Sequence, residues 1–173
     1  HLIRNVNHNG NFDVFGVGNA LVDILALVDD RFVDDFGLPK GSMNLMDSQQ
    51  QADVLNRLET SSLHLASGGS AANTRVTIAL SGGTGVYIGR VAHDPHGEFY
   101  RKDMLKAGIQ FPVALAAEAS LPTGTSVILT TPDAERTMCT HLGVSTELKT
   151  ADVDFDQLNG AKVSYVEGYL WDA

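Results

Sequence analysis

The carboxylate best suited to bind a ligand is Asp23, which stands inside the apolar stretch GNALVDI at residues 18–24. Because burying an unpaired carboxylate is costly, Asp23 must be solvated, paired or bound to a ligand. Two adjacent hydroxyls of a sugar can donate hydrogen bonds to one carboxylate, so an aspartate lining a pocket is suited to bind a diol. The alternative is a loop aspartate that caps a local turn.

A second candidate is the glycine pair Gly68 and Gly69, followed four residues later by Asn73 near the predicted start of a helix. Two glycines let the backbone approach a ligand closely, and the first turn of a helix offers free N–H donors. The Asn73 side chain offers both a donor and an acceptor. The alternative is a tight turn between a strand and a closely packed helix. No Gly-Lys-Ser/Thr follows the pair, so it is not a phosphate loop of the Walker type.

The elements that must position these residues alternate between strands and helices. Apolar runs and turn residues predict strands at 12–17, 42–46, 63–66, 86–91, 111–117, 126–131, 136–142 and 162–167, and helices at 32–36, 48–58, 94–107 and 152–158. A further helix of small residues is predicted to start at about Asn73 and to run through Leu80. This alternation predicts a parallel α/β layer. The strand at 42–46 and the hairpin that turns at 132–135 predict a small extra sheet beside it. Residues 1–11 are polar and are predicted to form a tail.

Composition excludes several classes of function. A chain of 173 residues suits one domain, and its net charge of −9 opposes binding to nucleic acid or anionic lipid. The single cysteine, Cys139, excludes an internal disulfide and a multi-cysteine zinc site, in agreement with a cytoplasmic location. No apolar run approaches the roughly 20 residues needed to span a bilayer. His93 and His96 lack a second ligand cluster, so no metal site is predicted.

Three blocks in this order resemble the ribokinase-like (PfkB-type) kinases of sugars and nucleosides. The blocks are GNALVDI at 18–24, SGGSAANT at 67–74 and IGRVAHDPHGE at 88–98, where Ala92 replaces a glycine that is frequent in the family. The resemblance covers residues 12–173. It implies an α/β, ribokinase-like fold: a parallel sheet flanked by helices, with a small β-sheet lid whose segments lie near 41–47 and 123–143.

The same resemblance implies an activity and roles for residues. The family transfers the γ-phosphate of ATP, with the help of Mg²⁺, to a primary hydroxyl of a small molecule. Asp23 matches the carboxylate that binds the sugar diol, and Gly68, Gly69 and Asn73 match the loop that holds the sugar hydroxyls. The lid would close over the substrate, and the protein would be a monomer or a homodimer formed through the lid.

Within the family, the sequence looks most like the adenosine-kinase branch. Asn19 precedes Asp23 by four residues and would lie beside the ribose, and the segments around Arg136 and Tyr169 are similar to that branch. Alternation places Met138, Thr140 and Leu142 on one face of the lid strand, where they could cover a flat base, and Tyr169 could stack on a purine. The alternatives are that these are core or sheet-face residues, and that the acceptor is a sugar such as ribose or fructose.

The second signature of the family, Asp-Thr-x-Gly-Ala-Gly-Asp, does not occur in the 173 residues. In the family it supplies the catalytic base and backbone N–H groups that steady the phosphate. We therefore expect this sequence to be the N-terminal, substrate-binding part of a longer kinase, without a catalytic residue, with most ATP and Mg²⁺ contacts elsewhere, and inactive alone. The last strand would then leave an open apolar edge. A non-catalytic nucleoside- or sugar-binding module remains the alternative.

Overall fold

The computed structural model describes residues 2–5, 11–113, 115, 116 and 121–171. The strands are β1 (Leu2–Asn5), β2 (Phe12–Val17), β3 (Leu21–Leu27), β4 (Met43–Leu45), β5 (His64–Gly68), β6 (Gly85–Ile88), β7 (Gly124–Thr130), β8 (Arg136–His141) and β9 (Ala161–Val166). The α-helices are α1 (Asp30–Asp35), α2 (Ser48–Asn56), α3 (Ser70–Leu80), α4 (Pro95–Lys106) and α5 (Phe155–Asn159). The strands form two sheets.

The first sheet has the order β1-β9-β2-β6, and β2 pairs in parallel with both β6 and β9. Helices α3 and α4 pack on one face, where Tyr87, Tyr100 and Met104 are fully buried. The opposite face carries Phe15 and Ile88, with the segment around α5 packed against it. Burial of both faces is typical of parallel sheets and explains the continuous apolar runs FDVFGV and GVYI.

Two expectations for the ends of this sheet are wrong. Residues 2–5 of the predicted tail form β1, which pairs antiparallel with β9 in the register Leu2 with Val166 through Asn5 with Val163. The predicted open edge of the last strand is therefore covered, because β9 lies between β1 and β2. A four-residue strand within a polar segment carries too little periodicity to be recognised in the sequence. Residues 1 and 6–10 of the predicted tail lie outside the described residues.

The second sheet has the order β4-β8-β7-β3-β5. The predicted strand at 42–46 forms the parallel edge strand β4, and β7 and β8 form the predicted hairpin. The structure adds β3 and β5 to this sheet: β3 is parallel to β7 and antiparallel to β5. One face packs on α1 and α2 through Ile24, Val54 and Cys139. The sheet is therefore a full layer with its own core.

The segment predicted as a strand at 111–117 is not one in the part that the structure describes. Only isolated bridges join Gln110 to Val86 and Ala116 to Ala92. Phe111 of this segment, together with Ile109 just before it, instead completes the core beneath α4. The predicted helix at 94–107 is α4, opened by Pro95 and capped by Asp94. Nowhere in the described ranges does a helix have the length and apolar character required to cross a bilayer.

The Asp94 carboxylate joins the two sheets. It accepts hydrogen bonds from the backbone N–H of Gly97 at 2.8 Å and from both the N–H and the hydroxyl of Thr123, each at 2.8 Å. Thr123 immediately precedes β7, so the start of the second sheet's hairpin is fastened to the first turn of α4. These donors hold the pKa of Asp94 below its usual value against the effect of burial.

One buried cation interrupts the core. Arg75 in α3 is 0 % exposed, and within the described residues none accepts a hydrogen bond from its three guanidinium nitrogens. Its stem lies on Gly16 and its head on Gly85, where a side chain would overlap it. Burial lowers the pKa of Arg75, and the Asp13 carboxylate counteracts part of that shift. An unpaired buried charge of this kind destabilises a fold.

We therefore expect Arg75→Met to leave the free energy of unfolding unchanged or to raise it by up to about 2 kcal/mol, because an apolar chain of similar length replaces an unpaired charge. Urea denaturation of the full-length protein measures this. Arg75→Ala is the control: it leaves the space over Gly16 and Gly85 empty and should destabilise. A loss of more than about 2 kcal/mol in Arg75→Met would mean that the guanidinium has an acceptor.

Candidate functional site

Asp23 lies in the middle of β3, paired with Ala66 of β5 on one side and Ser126 of β7 on the other. It therefore belongs to a strand, which excludes the alternative of a loop aspartate capping a turn. Its carboxylate lies directly over Gly68, where a Cβ would overlap both carboxylate oxygens. The glycine at position 68 is thus required by the position of Asp23.

The environment of Asp23 disfavours its charge. Burial raises the pKa of Asp23 from an ordinary value of 3.8 to about 6, and the positive charge of Arg136 opposes this shift. Arg136 is exposed at the start of β8, on the same face of the second sheet as Asp23. Beside Asp23 in register, the hydroxyls of Ser126 and Thr140 lie 2.8 Å apart and are hydrogen-bonded. A carboxylate held in this way gains from a ligand that donates hydrogen bonds to it.

The glycine pair forms the turn between β5 and α3. Gly69 has φ +100°, a conformation that L side chains rarely adopt, and a Cβ there would overlap the carbonyl oxygen of Asn19. The backbone N–H of Asn73 donates to the Gly69 carbonyl at 2.9 Å, in the first turn of α3. The Asn73 side chain is exposed. The loop from Gly68 to Gly69 therefore packs backbone to backbone against the turn that contains Asn19.

A cavity of about 370 Å³ opens next to Asn19. Its walls are mainly apolar and come from β2, β9 and the segment between β8 and α5, and they include Phe15, Val17, Leu142, Leu148, Val153, Leu158 and Leu170. Tyr169 also lines it, with a side chain that is 61 % exposed. Pockets of about 300–1,000 Å³ with apolar walls and a few polar groups are typical of small-molecule sites.

The structure brings the predicted site residues together in two groups. Asn19 and Tyr169 line the cavity, as does Leu142. Asp23, Gly68, Arg136, Met138 and Thr140 belong to the second sheet, and none of these five lines that cavity in the described structure. The contact between Gly69 and Asn19 joins the two groups.

The prediction of one shared face for Met138, Thr140 and Leu142 is wrong for Leu142. Leu142 lies just past the end of β8, where the chain turns into Gly143 with φ +54°, and so it faces the cavity. Thr140 is 4 % exposed, and its hydroxyl already contacts Ser126. A role for Met138, Thr140 and Arg136 in binding a base stays a prediction that depends on movement of the second sheet.

Sequence reasoning missed Glu167, which follows β9 and is 2 % exposed. The backbone N–H of Asn19 donates to its carboxylate at 2.6 Å. Burial raises the pKa of Glu167, and hydrogen bonds from the backbone of Asn19, Ser70 and Ala71 oppose the shift. The sequence did contain a signal for Glu167, because it is an isolated acid at the end of the predicted strand KVSYVE. Asp23 was recognised by the same kind of signal, an isolated acid in an apolar stretch.

Across the described ranges, no group of three or more His, Cys, Asp or Glu side chains is placed to hold a metal ion. The Nε2 atom of His93, which precedes α4, instead lies 3.6 Å from the Oε1 atom of Glu98 in the first turn of that helix. The acidic residues of the candidate site, Asp23 and Glu167, each contact glycine or backbone groups.

A family model described as pfkB family carbohydrate kinase matches residues 41–173, which is well over half of the chain. The chain belongs to the pfkB family of carbohydrate kinases. This confirms the resemblance based on the three sequence blocks, two of which lie within the matched residues.

The relatives of this pfkB-family chain include adenosine kinases. Adenosine kinase 2 of Arabidopsis thaliana is 25 % identical over 172 residues, which cover 94 % of this chain and 49 % of the relative. The crystal structure of adenosine kinase from Sinorhizobium meliloti is 41 % identical with a TM-score of 0.87, over 93 % of this chain and 48 % of that one. A probable sugar kinase from Rhizobium etli CFN 42 is 40 % identical with a TM-score of 0.88, over 94 % and 48 %.

These similarities confirm the α/β, ribokinase-like fold class of the pfkB-family chain. The chain spans about half the length of the relatives that it matches.

We expect Asp23→Asn to stabilise the ligand-free protein at neutral pH while weakening acceptor binding. Because the folded-state pKa of Asp23 is raised, its contribution to stability is full below pH 3.8 and is lost as the pH rises through about 6. The substitution should therefore raise the free energy of unfolding at pH 7 by at most about 3 kcal/mol and have little effect near pH 3. Urea denaturation at both pH values, with acceptor KM, measures this. Destabilisation at pH 7 would contradict the assignment.

Gly69→Ala should weaken acceptor binding by about tenfold or more, because its Cβ would displace the carbonyl of Asn19. Gly82→Ala is the matched control, since Gly82 also has positive φ, at +85°, but a Cβ there meets nothing within 4 Å. Gly82→Ala should lose about 1 kcal/mol of stability from backbone strain, and Gly69→Ala should lose more, because it adds the overlap with the Asn19 carbonyl to the same strain. Equal acceptor affinity in the two variants would show that the loop at Gly69 is structural only.

Proposed function

We propose that the full-length protein phosphorylates a primary hydroxyl of a purine nucleoside, with ATP as phosphate donor and Mg²⁺ as its metal. The observation that carries this proposal is the arrangement around Asn19: a mainly apolar cavity with Tyr169 at its wall on one side, and the loop of Gly68 and Gly69 on the other. A nucleoside has the matching polarity, with a flat base at one end and a ribose diol at the other.

Each part of the candidate site has a role in this proposal. Asp23 accepts hydrogen bonds from the ribose hydroxyls, which stabilises its charge in a surrounding that otherwise disfavours ionisation. Gly68 and Gly69 let the backbone lie against the sugar, and Asn73 offers its exposed amide nearby. Leu142 and Tyr169 cover the base, whose stacking on such surfaces is worth roughly 1–3 kcal/mol.

The second sheet supplies the lid in this proposal. Its strands β7 and β8 are fastened at the base by the hydrogen bonds from Thr123 to Asp94, and Gly143 lies at the same end of the hairpin, beside Gly124. Movement about these points would bring Arg136, Met138 and Thr140 towards the bound acceptor. Closure would exclude water, which otherwise competes as an acceptor of the phosphate.

The residues described here do not fit an ATP or Mg²⁺ site. The motif Asp-Thr-x-Gly-Ala-Gly-Asp does not occur in the 173 residues, and no acidic cluster in the described ranges is placed for a metal ion. We therefore assign to this chain the binding and orientation of the acceptor. Activation of the acceptor hydroxyl belongs to residues that this sequence does not contain.

Phosphorylation of a sugar is the second candidate, and the similarity to the probable sugar kinase from Rhizobium etli supports it. Asp23, Gly68 and Gly69 would bind a free sugar equally well, because in this proposal they contact hydroxyl groups only. The apolar walls of the cavity favour the nucleoside: a free sugar carries hydroxyls on nearly every edge and would leave them unpaired against Leu142 and Phe15.

The deciding experiment is a competition on the full-length protein between adenosine, inosine, ribose and fructose at fixed MgATP. We expect kcat/KM for adenosine to exceed that for ribose by about 10- to 100-fold, from the base contact alone. Tyr169→Ala should reduce that preference without changing kcat/KM for ribose. More efficient phosphorylation of ribose or fructose than of any nucleoside would replace this proposal with the sugar kinase.

A further inference from the structure

Three buried polar side chains surround the backbone of the candidate binding loops. Tyr87 of β6 and Tyr100 of α4 are 0 % exposed, and Glu167 after β9 is 2 % exposed. They come from three separate elements and converge on the turn that contains Asn19 and on the loop that contains Gly68. We refer to Tyr87, Tyr100 and Glu167 as the support layer.

The two tyrosines hold carbonyl oxygens of the binding loops. The Tyr87 hydroxyl donates to the carbonyl of Asn19 at 2.9 Å, and the Tyr100 hydroxyl donates to the carbonyl of Gly68 at 3.1 Å. Burial raises the pKa of both well above the ordinary value, so they are neutral donors at any physiological pH.

Glu167 holds the N–H groups of the same segments. Its carboxylate accepts from the N–H of Asn19 at 2.6 Å and from the backbone N–H groups of Ser70 and Ala71 in the first turn of α3. Gly69, the residue before that helix, has no side chain to cap it, so Glu167 takes the place of a cap. A Cβ on Gly18 would lie 2.6 Å from the carboxylate, which explains the glycine there.

The result is that both backbone polar groups of Asn19 are fixed, its N–H by Glu167 and its C=O by Tyr87. The carbonyl of Gly68, the residue beneath Asp23, is fixed by Tyr100. The hydrogen bonds of the two sheets alone would not fix the backbone of residues 18–20, because these residues lie between β2 and β3 and outside both ladders. The support layer therefore defines where the two loops stand relative to each other.

We propose that Tyr87, Tyr100 and Glu167 are positioning residues for acceptor binding: they are buried behind the loops and fix the backbone of Asn19, Gly68 and Ser70 in the geometry that the acceptor requires. This inference rests on the proposed function for the identity of the site. A displacement of about 1 Å in a binding group can change the rate by about 100-fold, whereas loss of one hydrogen bond lowers the melting temperature by only a few degrees. The two effects can thus be separated.

The test uses Tyr87→Phe, Tyr100→Phe and Glu167→Gln in the full-length protein. Each change keeps the shape of the side chain and removes a hydroxyl donor or the negative charge. The dissociation constant of the acceptor without ATP is measured by calorimetry, KM and kcat by assay with MgATP, and the melting temperature by calorimetric scan. We expect the dissociation constant and KM to rise by about tenfold or more, with a fall of only a few degrees in melting temperature.

Thr84→Val is the matched control, because Thr84 immediately precedes β6, at the end far from Asn19, and its hydroxyl bonds to Asp13 at 3.0 Å. It should change stability without changing acceptor affinity. Unchanged affinity in both tyrosine variants would overturn the proposal. If Glu167→Gln does not fold, the tyrosine variants still decide the matter, since each removes a single hydroxyl.

The acceptor used is whichever the competition assay ranks first. If ribose replaces adenosine there, the proposed nucleoside activity fails, but the support layer is then tested with ribose. The positioning inference fails only when the variants bind that acceptor as tightly as the unsubstituted protein does.

Discussion

The contact on which the rest of the site depends is the one between Gly69 and the carbonyl oxygen of Asn19. Two backbone segments approach here more closely than any side chain would permit. One segment leads from the first sheet into the second, and the other leads from the second sheet into α3. Because this contact fixes the crossing of the chain between the layers, it also fixes the distance between the cavity and the carboxylate of Asp23.

The candidate site has unfavourable electrostatics where we propose that the acceptor binds. Asp23 keeps a carboxylate in a surrounding that raises its pKa to about 6. Glu167 keeps another in an almost fully buried position, compensated by backbone N–H groups. In our proposal Asp23 gains hydrogen-bond partners from the acceptor, whereas Glu167 already has them from the backbone, so burial of a carboxylate would serve binding in the first case and geometry in the second. Burial of the Arg75 guanidinium is also unfavourable, and among the described residues no group accepts a hydrogen bond from it.

Much of the fold was predictable because local rules and tertiary structure agree. The capping aspartates Asp47 and Asp94 mark the starts of α2 and α4, and the turn before Glu135 marks the hairpin. The glycine pair and Asp23 were recognisable because both are unusual in an apolar context. The pairing of β3 with β5 and β7 was not, since the sequence of an apolar strand does not tell which sheet it joins. Tyr87 and Tyr100 resemble ordinary core residues in the sequence, and only their hydroxyl partners reveal a role.

The first turn of α3 has a consequence for the charge of the molecules that can approach it. Free N–H groups at the start of a helix attract anions such as phosphate. In this chain the N–H groups of Ser70 and Ala71 are already bonded to a carboxylate, so the start of α3 is electrically neutralised from within. A phosphate drawn towards the loop of Gly68 and Gly69 would meet the charge of Glu167 and, beyond it, that of Asp23. The loop is therefore suited to hold an uncharged molecule and to leave anionic ones to other surfaces of the protein.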